Sequence, residues 1–280
     1  MKFCYPRLSK FDFFFIRSPG PGLGNLLFPV CRAYLASLDE GSAFIEPTWR
    51  QLKIGPFLRG EVDSRTYDEI SIKGDLSQRA RDYVRAFGLT KFDENDPRAS
   101  EDNVDRCVVF HGCKNYFHDL IEHRQGISNW LGSWKSVRSV DKNKFRLLLH
   151  VRLADFTPCK ENIDTGTCYR SSMVWYREIG NEIINRERIR PEEILVLTDG
   201  KLSEVRNEIG IDAFYSNNLG GLNALELMLV GAQSEFLIGS RSTFSMWMHF
   251  LGNGVAYFER SFSMEPYFPF VNQNNIFFVE

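Results

Sequence analysis

Four short apolar runs, separated by stretches with helical patterning, constrain this chain more than any other feature. They read Arg-Leu-Leu-Leu-His-Val over 146–151, Ile-Leu-Val-Leu over 194–197, Phe-Leu-Ile over 236–238 and Val-Ala-Tyr-Phe over 255–258. Runs this short and this apolar suit strands covered on both faces, as in a parallel sheet. Between them, residues 172–186 place Trp175, Ile179 and Ile183 four apart, and 201–209, 222–232 and 243–251 are further helices. Residues 213–215 add a short strand. Strands alternating with helices predict βαβ units.

The first half follows the same logic less regularly. Residues 11–16 read as a strand, 18–25 as a glycine-rich loop, and 26–38 as a helix with Val30, Ala33 and Tyr34 inward. Gly41 stops that helix and 43–45 form a second strand. Residues 59–105 are polar, with 93–97 an exposed loop; 107–110 form a strand, and the chain to about 140 is helical. At roughly 150 residues per domain, 280 residues allow one large α/β unit or two lobes. The expected fold class is α/β, with two Rossmann-like lobes at 1–140 and 141–280 and a cleft between them.

Charge and targeting narrow the function. Lys plus Arg number 34 against 36 Asp plus Glu, a balance that argues against a dedicated nucleic-acid binder. The apolar run at 13–16 is too short for a signal peptide. Residues 242–258 carry no charge but fall short of the roughly 18–20 needed to span a bilayer, and Gly252-Asn253-Gly254 interrupts them. The expectation is a soluble, cytoplasmic protein, with attachment to the inner face of the membrane as the alternative. The six cysteines include no C-x-x-C pair and read as small buried thiols, a Cys159–Cys168 disulfide being the alternative. Phe is abundant, at 24, which means large buried sheets or an adhesive surface.

Polar groups gather where strands end. Gly20-Pro-Gly22-Leu-Gly24-Asn25 opens a helix; its glycines admit close backbone approach and the helix start favours an anion, phosphate above all. A ligand-free tight turn is the competing reading, and the spacing matches neither a dinucleotide fingerprint nor a P-loop. His150-Val-Arg152-Leu-Ala-Asp155 follows a buried strand, where ligands of open α/β sheets bind. Arg152 is shaped for bidentate phosphate binding there; His150 either joins it or is a neutral imidazole satisfied by backbone. Thr198-Asp199-Gly200 and Ser240-Arg-Ser242-Thr243-Phe244-Ser245 end two more strands, as anion cradle or plain helix caps. Arg241 pairs with phosphate or faces solvent. Glu226, alone in an apolar helix, needs a protein donor or a ligand N–H edge. There is no Asp-x-Asp and no His-Glu-x-x-His, so no metal site is expected, and a nucleotide diphosphate held without a metal fits this inventory.

In order and spacing these motifs resemble the α-1,2-fucosyltransferases of glycosyltransferase family 11. Residues 20–25 resemble their GGLGNQ opening, 150–155 their HVRRGD motif, 197–200 their second strand-end motif, and Glu226-Leu-Met-Leu with Ser242-Thr-Phe-Ser-Met-Trp247 their D-L-x-L-M-S…STFSWW block. Leu153 replaces the second Arg, Leu26 the Gln, and Glu226 the usual Asp. The resemblance implies a GT-B fold, GDP-fucose as donor, no cofactor or metal, and inversion at the anomeric carbon. It places Arg152 on the β-phosphate, with Gly22, Gly24 and Asn25 over the diphosphate. Asp199, Ser242, Thr243 and Phe244 would contact the donor, and His150 and Glu226 would lie near guanine. A carboxylate base would be Asp155, then Glu161, unless positioning alone suffices. The acceptor would be an oligosaccharide or polysaccharide held by the first lobe, where Trp49, Tyr67, Tyr116, Phe117 and His118 stack on sugars or pack the core. Two alternatives stay open: another donor, such as GDP-mannose or a UDP-sugar, and a non-catalytic glycan-binding protein. Phe262, Phe268, Phe270, Phe277 and Phe278 are expected to pack back across the lobes, with a membrane-facing or oligomeric surface as the alternative.

Overall fold

The computed structural model describes residues 2–13, 16–52, 67–72, 76–101, 105–138, 144–153, 170–215, 219, 221–260 and 275–279. The chain divides into two compact units, Met1–Val137 and Arg138–Glu280. Both are α/β with parallel sheets, the two Rossmann-like lobes expected.

The first unit contains β1 (Lys2–Pro6), β2 (Asp12–Phe13), β3 (Ile16–Arg17), α1 (Leu23–Asp39), β4 (Ala43–Phe44), α2 (Leu76–Phe87), β5 (Thr90–Asp93), β6 (Arg106–Phe110) and α3 (Arg124–Gly132). Its sheet runs β4-β1-β6-β5, every pair parallel. The strand expected at 11–16 is instead a two-stranded antiparallel hairpin, β2 with β3, outside that sheet. The inner strands are β1 and β6. In β1, a strand that sequence patterning does not reveal, Phe3, Cys4 and Tyr5 are buried. Its apolar run is only three residues between Lys2 and Pro6, too brief to stand out. The polar region 59–105 holds α2 and β5, and β5 escapes pattern reading because it is a mostly exposed edge.

The expected exposed loop at 93–97 is only partly so. The Glu94 side chain is 6% exposed and meets Arg32 of α1 at 2.9 Å through both oxygens. Arg32 also donates to the carbonyls of His111, Gly112 and Lys114. One buried guanidinium thereby ties the helix to the loops after β5 and β6. Pro29 lies within α1 and has no N–H for the carbonyl four residues back. That carbonyl belongs to Asn25, and the Cys113 thiol reaches it at 3.8 Å.

The second unit contains β7 (Leu147–Val151), α4 (Met173–Glu187), β8 (Ile194–Thr198), α5 (Leu202–Ile209), β9 (Phe214–Tyr215), α6 (Ala224–Gly231), β10 (Phe236–Ile238), α7 (Thr243–Leu251), β11 (Val255–Glu259) and β12 (Ile276–Val279). All pairings of its sheet, β12-β11-β10-β7-β8-β9, are parallel. Leu147, Leu149 and Val151 face a core shared with Trp175, Tyr176, Ile179 and Ile183 of α4. The turn expected at 252–254 is present. A side chain on Gly252 would collide with the carbonyl of Ala232, so the close approach needs glycine.

Part of the Phe excess is now placed. Phe3, Phe28, Phe110, Phe117, Phe250 and Phe258 are buried. Phe277 and Phe278 form β12 beside β11, with rings 5.4 Å from Tyr257 and 6.4 Å from Phe258. These two residues extend the second sheet. Phe262, Phe268 and Phe270 lie outside the described residues, as do Cys159 and Cys168. Cys4, Cys31 and Cys107 are buried free thiols, as expected. Burial pushes the Cys4 thiol up to about 11 and Cys107 up to about 12.

Candidate functional site

Chain order decides where the second unit can hold a ligand. Renumbered from β7 as first, its sheet reads 6-5-4-1-2-3. From β7 the chain proceeds through α4 and α5 to one side, then returns to lay β10, β11 and β12 on the other. The connections therefore diverge above the carboxyl ends of β7 and β10, the crevice where open α/β sheets bind ligands. His150 and Arg152 stand at the end of β7, and Ser240–Ser245 follow β10.

Those residues form a connected polar cluster. His150 Nδ1 lies 2.6 Å from Ser245 Oγ and 3.0 Å from Ser240 Oγ. Ser240 Oγ lies 2.9 Å from Ser242 Oγ, and the Ser240 N–H donates to Ser245 Oγ at 3.0 Å. Ser242 caps α7 by accepting the Ser245 N–H, which leaves the N–H groups of Thr243 and Phe244 to open the helix. Burial drives the His150 pKa down to about 3, with Arg152 adding to the shift, so the imidazole is neutral. Phe244 lies against it, ring centroids 5.1 Å apart. The Tyr176 hydroxyl donates to the His150 carbonyl at 3.0 Å.

Beside this cluster, Arg152 Nε meets Asp199 Oδ2 at 3.1 Å. Asp199 Oδ1 accepts the Leu153 N–H at 2.7 Å, so the carboxylate is fixed to the backbone that carries the arginine. The two side chains are 16% and 19% exposed, open to a ligand yet held in place. Asp199 thus orients the guanidinium. Leu153 is buried in the core against Gly200.

Glu226 has found its protein donor. Arg138 Nε and Nη2 reach its two oxygens at 2.9 and 3.0 Å, and Asn223 forms a reciprocal capping box with it. Arg138 Nη2 also donates to the carbonyl of Gly221. Arg241 meets Glu259 at 2.9 Å, its side chain 8% exposed, so it does not face solvent. Gly22, Gly24 and Asn25 belong to the first unit, at the start of α1. There the Leu23 N–H donates to Tyr67 Oη at 2.8 Å, so a protein hydroxyl already uses part of that helix start. Trp49, Tyr67 and Phe117 are buried, Tyr116 meets Phe28 edge-on, and His118 is exposed. Asp155 and Glu161 lie outside the described residues.

One pair escaped the sequence reading. His111, just after β6, places Nε2 2.6 Å from Oδ2 of Asp93, the last residue of β5. Asn95 donates its N–H and its side-chain amide to Asp93 Oδ1; the N–H bond, then His111, hold the Asp93 carboxyl below its usual range. The two residues are 18 apart in a region of polar patterning, and only the β5–β6 register brings them together.

No protein-family model and no curated protein matches the chain. Among solved structures, the fucosyltransferase NodZ from Bradyrhizobium is similar at a TM-score of 0.37 and 14% identity, over 87% of this chain and 93% of that one. That likeness is distant, and the likeness to glycosyltransferase family 11 rests on the motifs alone.

Proposed function

We propose that this chain is a glycosyltransferase that moves fucose from GDP-fucose to a hydroxyl of an acceptor oligosaccharide or polysaccharide, with inversion, an α-1,2 linkage and no metal. One observation supports the reading above all. Arg152, oriented by Asp199, stands beside the helix start of α7 at the switch point of a 6-5-4-1-2-3 parallel sheet. A guanidinium and helix N–H groups in that position suit a diphosphate.

In the reaction, the bond from the sugar to the β-phosphate breaks as the anomeric carbon gains positive character. Negative charge grows on the departing phosphate, and Arg152 with the Thr243 and Phe244 N–H groups would receive it. The neutral His150 and the Phe244 ring border the nucleoside side. The acceptor hydroxyl attacks from the opposite face and loses its proton to a base, for which Asp155 is the first assignment and Glu161 the second.

The test is thermal denaturation with GDP, UDP and their sugars in EDTA, followed by a transfer assay. GDP is expected to raise the melting temperature of the parent chain and not of Arg152→Ala. Stabilisation by UDP alone would replace the donor, and a dependence on Mn²⁺ would overturn the metal-free mechanism. Nucleotide binding without turnover on any glycan would leave a binding protein.

A further inference from the structure

We propose that the first unit docks on an anionic lipid surface through the β2–β3 hairpin and α2. Four of the eight exposed large hydrophobic residues among those described lie on these two elements. Phe11 and Phe13 are 59% and 61% exposed on the hairpin; Val84 and Phe87 are 71% and 65% exposed on α2. Phe11 immediately precedes β2 and Phe13 ends it, on either side of Asp12. Asp12 turns inward, where its Oδ2 accepts the Leu8 N–H. The Tyr83 hydroxyl donates to the Asp12 carbonyl at 3.4 Å, and its ring stacks on Phe87 at 6.3 Å. Tyr83 thereby links the hairpin to the helix.

The charges around these rings point to the partner. Arg7, Lys10, Arg81, Arg85 and Lys91 are exposed, while Asp12 and Asp82 are partly buried. Lys10 Nζ lies 5.7 Å and Lys91 Nζ 4.4 Å from the centroids of the Phe11 and Phe87 rings. The chain as a whole carries a net charge of −2, so this cationic patch is a local asymmetry. Exposed Phe beneath Lys ammonium groups matches an interface where rings enter the acyl boundary and cations stay with the headgroups. Anionic lipid complements that charge. No helix among the described residues is long and apolar enough to cross a membrane, and docking of this kind asks for none. Lipid docking needs neither nucleotide nor transfer, so it stands apart from the donor reading.

Cosedimentation of the full chain with vesicles tests it. Phosphatidylcholine vesicles containing phosphatidylglycerol should carry the protein down, less so as salt rises, and pure phosphatidylcholine should not. Phe11→Ser with Phe13→Ser should weaken that partition at least about tenfold while leaving the melting temperature unchanged. Lys10→Glu with Lys91→Glu should remove much of the salt dependence. Absence of sedimentation with either vesicle, or equal binding by the serine variant, would overturn the proposal. So would a lipid-free dimer in ultracentrifugation that the serine variant abolishes, since the face would then belong to a second copy.

Discussion

Arg138 holds Glu226 by both carboxylate oxygens, at 2.9 and 3.0 Å, and its own main-chain N–H adds a third contact at 2.8 Å. Burial alone pushes the Glu226 carboxyl up, but the bonds from Arg138 and Asn223 outweigh it and keep the group below its usual range. Arg138→Ala removes the side-chain part of that compensation but keeps the two main-chain bonds, so the folded-state pKa rises. The stability held by the depressed pKa, present above the unfolded value and lost as pH falls, therefore shrinks in the variant. Discounted for the half-exposed arginine, the loss at neutral pH should be about 2 kcal/mol. Urea denaturation at neutral and at strongly acid pH checks this, the gap between parent and variant narrowing in acid; an equal loss at both would mean that charge is not the cause.

His150 adds a second loss of stability in acid. Its folded pKa of about 3 lies below the ordinary 6.5, because burial, then Arg152, disfavours the imidazolium. The unfolded chain takes up the proton first, so stability should fall as pH drops below 6.5 towards 3, by at most about 1.4 kcal/mol per pH unit. His150→Gln should flatten that slope. Melting temperatures of parent and variant across the acid range decide it, parallel curves being the contrary outcome.

Arg152 and Asp199 separate charge from orientation. Under the proposed reaction, Arg152→Ala removes a donor that matters most as the phosphate departs. It should lower kcat/KM by about 10²–10³ with little change in stability. Arg152→Lys keeps the charge without the planar fork and should restore only part of the loss. Asp199→Asn should fall between parent and Arg152→Ala. Initial rates with a fixed acceptor would show the order, and full activity in Arg152→Ala would end the assignment.

Cys113 and Pro29 should be coupled. Cys113→Ala strips the Asn25 carbonyl of its thiol and should cost about 0.5–1 kcal/mol. In a Pro29→Ala background the helix supplies its own N–H, and the same change should cost less. A double-mutant cycle by thermal denaturation measures the difference; strict additivity would count against the thiol's role.

What could be read from the chain follows from burial. Strands β7, β8, β10 and β11 announce themselves because both faces are covered and apolar. The edges do not: β5 presents Thr90, Lys91 and Asp93 to solvent, and β12 is only four residues long. At 11–16 a richer apolar run misleads, since Phe11 and Phe13 are surface residues. The site divides along the same line. His150, Arg152, Asp199 and Ser242 were legible because they terminate strands that were themselves legible. Arg138, 88 residues from Glu226, and His111, paired with Asp93, become visible only once the chain has folded.

The place of β1 in its sheet also imposes a schedule. Its neighbours are β4, which follows closely in the chain, and β6, where Lys2 pairs with Arg106. As the chain emerges during synthesis, one flank of β1 is capped early while the other keeps its ladder of amides and carbonyls open until β6 arrives. Such a flank is a template for pairing with other chains. A fragment that stops short of Arg106 should therefore be far more prone to aggregate than one that continues past Phe110.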